Sequence, residues 1–136
     1  GSKLKYEDNY FDKILLIDVI HHLEDIHGTL KELKRVLKQN GKIIVYEPNI
    51  LNPLMLLMHL IDKNERGLLK VGRKKKYKDI FEQNNLKIEN FEFNGIIIGP
   101  NSKFLELISD SINYNNKTYN LFGWLNPKVY FTVKKN

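Results

Sequence analysis

The sequence predicts an α/β fold: a mainly parallel sheet covered by helices. Three observations carry that prediction. Residues 10–49, YFDKILLIDVIHHLEDIHGTLKELKRVLKQNGKIIVYEPN, read as strand, loop, helix, glycine stop and strand. This is one βαβ unit, and such units imply parallel strands joined by a crossover helix. Further helical periodicities and a final alternating strand follow it. No Gly-rich turn stands before it, so the unit reads as the second half of a nucleotide-type α/β domain whose first half is absent from this sequence.

Each element has a local reason. Lys13 to Ile17 contains the continuous apolar run Ile14-Leu15-Leu16-Ile17, the pattern of a strand buried on both faces. Asp18 ends it, and Val19 to Leu23 suits a short helical turn. Asp25 is the N-cap candidate of a helix over Ile26 to Gln39, with Leu30, Leu33, Val36 and Leu37 on one face. Lys34, Arg35 and Lys38 fall near its carboxyl end, where they complement the helix dipole. Asn40-Gly41 reads as its stop, with Gly41 at C′. Lys42 to Tyr46 is the next strand, ended by Pro48.

Asn52-Pro53 then reads as N-cap and first-turn proline of a helix through about Ile61. Leu54, Met55, Leu56, Leu57, Met58, Leu60 and Ile61 surround most of it, so it is either buried or covers a pocket or apolar surface. Residues 63–72 read as a loop. Lys75 to Asn84 is amphipathic, with Tyr77, Ile80 and Phe81 inward. Lys87 to Phe93 alternates as a strand with a phase irregularity. Ser102 is the cap candidate of a helix through Tyr114, with Phe104, Leu105, Ile108 and Ile112 on one side. Lys128 to Lys134 alternates as the last strand.

Length and composition bound the function. A chain of 136 residues with 42% apolar content suits one domain, here residues 3–136, with Gly1-Ser2 a remnant of tag cleavage. The absence of cysteine excludes disulfides, thiolate metal sites and cysteine nucleophiles, and fits a cytoplasmic protein. The longest apolar cluster, Leu54 to Ile61, contains His59 and is too short to span a bilayer, so no transmembrane segment is expected. The net charge of +6 is concentrated around Arg73 to Lys78. Without interleaved aromatics this run reads as a solvated helix start, and nucleic-acid binding is not expected. No phosphate-cradling loop or hydrolase signature occurs, and Gly95 to Gly99, enclosing three isoleucines, does not supply one.

Several of these pieces resemble a known family. Tyr6-Glu7-Asp8-Asn9-Tyr10-Phe11-Asp12 is similar to the approach to the fourth strand of the class I S-adenosylmethionine-dependent methyltransferases, in the ubiquinone/menaquinone-biosynthesis-like type 11 group. Ile17-Asp18-Val19-Ile20-His21-His22-Leu23 resembles the end of that strand. Leu33 to Gly41 resembles the following helix and its stop, and Ile43 to Asn49 the fifth strand and its exit. Tyr77-Lys78-Asp79-Ile80-Phe81 to Leu86 resembles the helix before the sixth strand. The match runs in register over residues 4–93 and more loosely beyond.

The resemblance implies a partial Rossmann-like methyltransferase sheet, its strands being the family's fourth to seventh in spatial order four, five, seven, six. The last is antiparallel and inserted between Lys42–Tyr46 and Lys87–Phe93. It also implies S-adenosylmethionine as cofactor, with Asp18, Val19 and His21 lining it just past the fourth strand. The family's Gly-rich loop, its ribose-binding acid and its adenine contact have no counterpart here. Ligands in such sheets bind at the carboxyl ends of the strands, so this chain would supply one wall of the crevice and bind the cofactor weakly or not at all alone.

Methyl transfer by direct displacement needs positioning and desolvation more than catalytic groups. An acceptor that must lose a proton also needs a base. His21, His22 and Glu47 are the candidates; the plainer expectation is that His22 packs under the helix and Glu47 caps a nearby backbone. His21, His22 and His27 raise the question of a metal. Adjacent histidines point apart in most backbones and no nearby acid has ligand spacing, so none is expected.

Two functions follow as expectations. The first is a fragment of a methyltransferase acting on a small-molecule or lipid-like acceptor and inactive alone. The second is an interaction module whose uncovered edge, Lys13–Ile17, pairs with a second copy or with a complementing N-terminal half.

Overall fold

The computed structural model describes residues 3–94 and 103–136. Four strands form one sheet: β1 (Phe11–Ile17), β2 (Leu37–Pro48), β3 (Leu86–Asn94) and β4 (Lys128–Lys135), in spatial order β1-β2-β4-β3. β1 and β2 are parallel, while β4 lies antiparallel between β2 and β3. This is the predicted order and the predicted insertion of the last strand. Helices α1 (Ile26–Val36), α2 (Pro53–Ile61), α3 (Gly67–Val71), α4 (Lys74–Gln83), α5 (Lys103–Asn113) and α6 (Asn116–Phe122) complete the described chain. The expectations for Ser102, for residues 95–99 and for the side chains of Phe104, Leu105 and Ile108 lie outside the described residues.

The strand period sorts the sheet into two unlike faces. Ile43, Val45 and Glu47 of β2 pair with Val133, Phe131 and Val129 of β4, and all six are buried on one face. Helix α1 brings Leu30 and Leu33 to that core, and α4 brings Tyr77, Ile80 and Phe81. Tyr77 and Phe81 pack on Phe131 with ring centroids 5.1 and 5.7 Å away, and Phe91 stacks on it at 5.3 Å. The opposite face is thinly covered. β1 does not bury both its faces as its unbroken apolar run predicts: Leu16 is buried, but Leu15 is 57% exposed and Ile17 39%. β1 is an edge strand, and among the described residues no layer shields its outer face.

Two elements near the site differ from expectation. Helix α1 ends at Val36, three residues early, and Leu37 already has extended backbone. Asn40-Gly41 is therefore not a helix stop but part of β2. Opposite the single residue Asp12, β2 carries the four residues Lys38 to Gly41, a bulge between the Phe11↔Leu37 and Lys13↔Lys42 pairs. Lys38 ties it down through both carboxylate oxygens of Asp12. A Cβ on Gly41 would lie 2.7 Å from the Leu37 side chain and 3.0 Å from the Asp12 carbonyl, so close approach is what requires glycine. The second difference is residues 63–72. They are not a loop but a 3-10 turn, Lys63–Glu65, followed by α3, because Leu68 and Val71 find core positions against residues 20–22.

The remaining predictions hold closely. Asn52 caps α2, its side chain accepting from the amides of Leu54 and Met55. The phase irregularity in β3 is a register shift between Glu89 and Glu92, with Asn90 at φ 51°. Among the described residues, the non-glycine positions with positive φ are Asn9, Asp18, Asn85 and Asn90, the side-chain types that tolerate that conformation.

Candidate functional site

β1 ends at Ile17, and Asp18 turns the chain through left-handed backbone, φ 53°. A 3-10 turn over Ile20–His22 follows, as Val19 to Leu23 predicts. Beneath this turn lies Glu47. The alternation of β2 places it in phase with Ile43 and Val45, so it points inward, fully buried, at the carboxyl end of the strand. One of its oxygens accepts the amides of Val19 and Ile20, both at 2.8 Å. The other meets His21 Nδ1 at 2.5 Å. Glu47 thus caps the turn as the plainer expectation has it, and orients a histidine as well.

The buried histidine is His21, and His22 is the exposed one, which corrects the expectation that His22 packs inside. A 3-10 turn eclipses residues three apart and leaves adjacent ones on different bearings. Here Ile20 and His21 face the core while His22 faces outward. The two rings nevertheless stay together, with centroids 4.0 Å apart. They diverge in bearing but not in distance.

Sequence reasoning missed Glu65. The 3-10 turn at Lys63–Glu65 brings its Oε2 within 3.1 Å of His21 Nε2, 3.7 Å of His22 Nε2 and 3.5 Å of His59 Nε2. The approach depends on Gly67, whose hydrogen faces His21: a Cβ there would lie 1.6 Å from the His21 carbonyl oxygen. Only glycine lets α3 settle against the turn. His59 is buried although its helix is otherwise apolar and largely exposed, with Leu54, Leu57, Met58 and Leu60 about half accessible and Ile61 73%. That inversion was signalled by one polar residue inside an apolar run.

A crevice of about 490 Å³ opens here, at the carboxyl ends of β1 and β2. Asp18, His21, His22 and Glu65 form one side, and Leu54, Met55, Met58 and His59 of α2 another. Leu125 to Lys128 form the third. Asn49 and Asn52 lash the first two sides to the third, donating to the carbonyls of Trp124 and Asn126 and to that of Leu125. Lys128 reaches across from β4 to pair with Asp18 at 2.5 Å. The structure therefore gathers Asp18, His21, His22 and, beneath them, Glu47. It leaves His27 apart, hydrogen-bonded to Asn84 on the surface.

The electrostatics follow the geometry. Burial pulls the His21 pKa down, but the carboxylates of Glu47 and Glu65 outweigh it and hold His21 above the ordinary histidine value. Burial pushes the Tyr77 phenol well up, with the Glu47 and Asp18 charges adding to it. Among the described residues its buried hydroxyl has no hydrogen-bond partner, and the raised pKa keeps it neutral near the buried acid. No described helix is long and apolar enough to cross a membrane.

Comparison with known proteins agrees with this fold. Residues 1–45 match a family model described as a methyltransferase domain. Over 45 residues the chain is 42% identical to the sterol 24-C-methyltransferase of Aspergillus fumigatus, a stretch covering 33% of this chain and 12% of that protein. A SAM-dependent methyltransferase of Archaeoglobus fulgidus superposes on 96% of this chain with TM-score 0.61 and 19% identity, and 62% of it is covered. Another, from Thermotoga maritima, superposes on 98% with TM-score 0.60 and 17% identity, 60% of it being covered. The chain thus spans less than two thirds of each of these proteins. It shares the fold of the matching part of these SAM-dependent methyltransferases and, over residues 1–45, matches a methyltransferase-domain model.

Proposed function

We propose that this chain is the acceptor-facing part of an S-adenosylmethionine-dependent methyltransferase, and that His21 is its general base. The observation that carries the reading is the 2.5 Å contact between His21 Nδ1 and the buried Glu47 carboxylate, at the strand ends where ligands bind in open α/β sheets. Glu47 fixes the tautomer: Nδ1 carries its proton toward the carboxylate, and Nε2 faces Glu65 at 3.1 Å. A proton from the acceptor passes to Nε2, and the resulting imidazolium is stabilised by Glu47. Glu65, whose side chain is 34% exposed, is the partner that yields Nε2. The sterol 24-C-methyltransferase likeness supports an acceptor that reacts at carbon, and the apolar α2 wall supports a lipid-like or largely apolar one.

The residues present fit one wall of a cofactor site. Asp18 and Val19 stand half-buried at the end of an edge strand, beside the crevice and open on the other side. They and the His21 main chain would hold the cofactor. When bound, it supplies an electrophilic methyl group on sulfur. One wall gives weak binding, so calorimetric titration of S-adenosylhomocysteine into this chain is expected to show little or no heat, and micromolar affinity would overturn the half-site reading. In a polypeptide that joins these residues to the cofactor-cradling strands, His21→Ala is expected to lower kcat about 10²–10⁴-fold with cofactor affinity little changed. An unchanged kcat would remove His21 from the role of base.

A second reading has its own observation. The outer edge of β1 is unpaired among the described residues and presents Leu15 and Ile17 to solvent. Such an edge templates another strand, and we infer that it pairs with a second copy or with a complementing N-terminal half. Light scattering across a concentration series is expected to show self-association of the isolated chain, and a strictly monomeric mass at high concentration would refute it.

A further inference from the structure

We infer that His21, His22 and Glu65, with His59 closing in as a fourth ligand, form a binding site for a divalent transition-metal ion of the zinc class. The inference goes beyond the methyl-transfer reading and does not rest on it.

The donor atoms of His21, His22 and Glu65 cluster, and His59 approaches them from the Glu65 side. The ligand atoms of His21, His22 and Glu65 lie within 4.8 Å of one another. Three imidazole Nε2 atoms surround the same carboxylate oxygen, at 3.1, 3.5 and 3.7 Å. With metal–nitrogen and metal–oxygen bonds of about 2.0–2.2 Å, the edge of a tetrahedral ligand set is about 3.3–3.6 Å. The observed spacings straddle that value. Hydrogen bonding alone does not account for them, because only the His21 contact falls within hydrogen-bond range.

The second observation is independent of the cluster's spacing. His59 is 6% exposed, and among the described residues its buried Nε2 has no hydrogen-bond partner. Its Nδ1 lies 2.7 Å from the Met55 carbonyl. A carbonyl only accepts, so Nδ1 carries a proton, which leaves Nε2, 3.5 Å from Glu65 Oε2, as the ring atom able to take a ligand. A buried imidazole nitrogen facing a carboxylate is unfavourable unless a cation, a proton or a metal ion, comes between them. His21 is prepared in the same manner: its Nδ1 is held by Glu47, the carboxylate–histidine arrangement that orients metal-binding imidazoles. His22 and Glu65 border the crevice, which gives the ion an entry path.

Ligation at His21 Nε2 and proton abstraction there exclude one another, so a bound ion would inhibit the base reaction, and the two tests succeed or fail separately. The test is titration of Zn2+ and Co2+ into the purified, metal-stripped chain. One equivalent is expected to bind, with Co2+ developing the intense visible bands of four-coordinate geometry. His59→Gln and Glu65→Gln are each expected to weaken affinity by at least about tenfold, and His27→Gln, remote on the surface, to leave it unchanged. His22→Ala, at an exposed position, is expected to weaken binding likewise and keeps the test readable if a buried variant fails to fold. Absence of stoichiometric uptake would overturn the inference. So would affinity that survives His22→Ala and Glu65→Gln together, which would mark the ion as adventitious.

Discussion

At the centre of the sheet, Phe131 is enclosed by Tyr77, Phe81 and Phe91, and no part of it reaches solvent. At the crevice, Leu54 and Met58 of α2 stand about half exposed, while the residues hidden from water are His21, Glu47 and His59. The first region buries apolar side chains and is complete in itself. The second buries polar and ionisable groups and leaves apolar ones outside. Burial of a carboxylate and two imidazoles is costly unless each is paired; Glu47 and His21 are paired with one another, and among the described residues His59 Nε2 is left over. The difference teaches where this fold is self-sufficient and where it is arranged for something else to bind.

The comparison can be broken most forcefully at its stable end. Phe131→Ala removes the ring on which three aromatics converge and is expected to cost about 3–5 kcal/mol, read as a lowered midpoint in denaturant unfolding. Gly67→Ala strikes the other region. Its methyl would collide with the His21 carbonyl, displacing α3 and Glu65, at about 1–3 kcal/mol. It should also remove Glu65 from His21, visible as a change in the imidazole resonances of an NMR spectrum. A Gly67→Ala chain with native stability and unchanged histidine signals would show that the close approach is unnecessary. Leu15→Lys sharpens the contrast: stability should move by no more than about 0.5 kcal/mol, while self-association seen by light scattering should disappear.

The smallest expected effect is at acid pH. Lys134 holds the Glu89 carboxyl, and Arg35 the Glu32 carboxyl, below the ordinary value of 4.5. A carboxylate whose pKa is depressed on folding adds stability that is present above that ordinary value and fades as pH falls through the folded one. Both pairs are surface pairs, so the loss on acidification should be shallow and should shrink in high salt. Thermal melts from neutral pH to below pH 4.5 with and without salt would test it.

Much of the fold was legible in residues whose local and global demands agree. The Ile43-Ile44-Val45 strand, the Asn52-Pro53 helix start and the Val129, Phe131, Val133 alternation each admit one reading. Asn40-Gly41 admitted two: the same dipeptide serves a helix stop or a tight bulge, and the Asp12 backbone pressing on Gly41 decided for the bulge. Residues 63–72 looked like a loop because Gly67 and Gly72 weigh against helix, whereas Leu68 and Val71, three apart, were the weak contrary signal. At the site, Asp18, His21 and Glu47 were nameable from sequence. Which of two adjacent histidines turns inward was not, since the curvature of one turn decides it. Glu65 was out of reach, because its meeting with His21 depends on a missing side chain at Gly67.

The placement of β4 has a consequence for how the molecule comes into being. β1 and β2 pair with one another, but β3 touches that pair only through β4, and Pro48 of β2 meets Lys128 near the far end of the chain. No sheet that includes β3 can close until β4 has left the ribosome. Until then the two halves wait with unpaired edges, held apart by a long connection whose closure is entropically slow. The sheet is therefore completed only when β4 arrives. Before that, a chain with the edges of β2 and β3 still open is the species most exposed to strand-edge association.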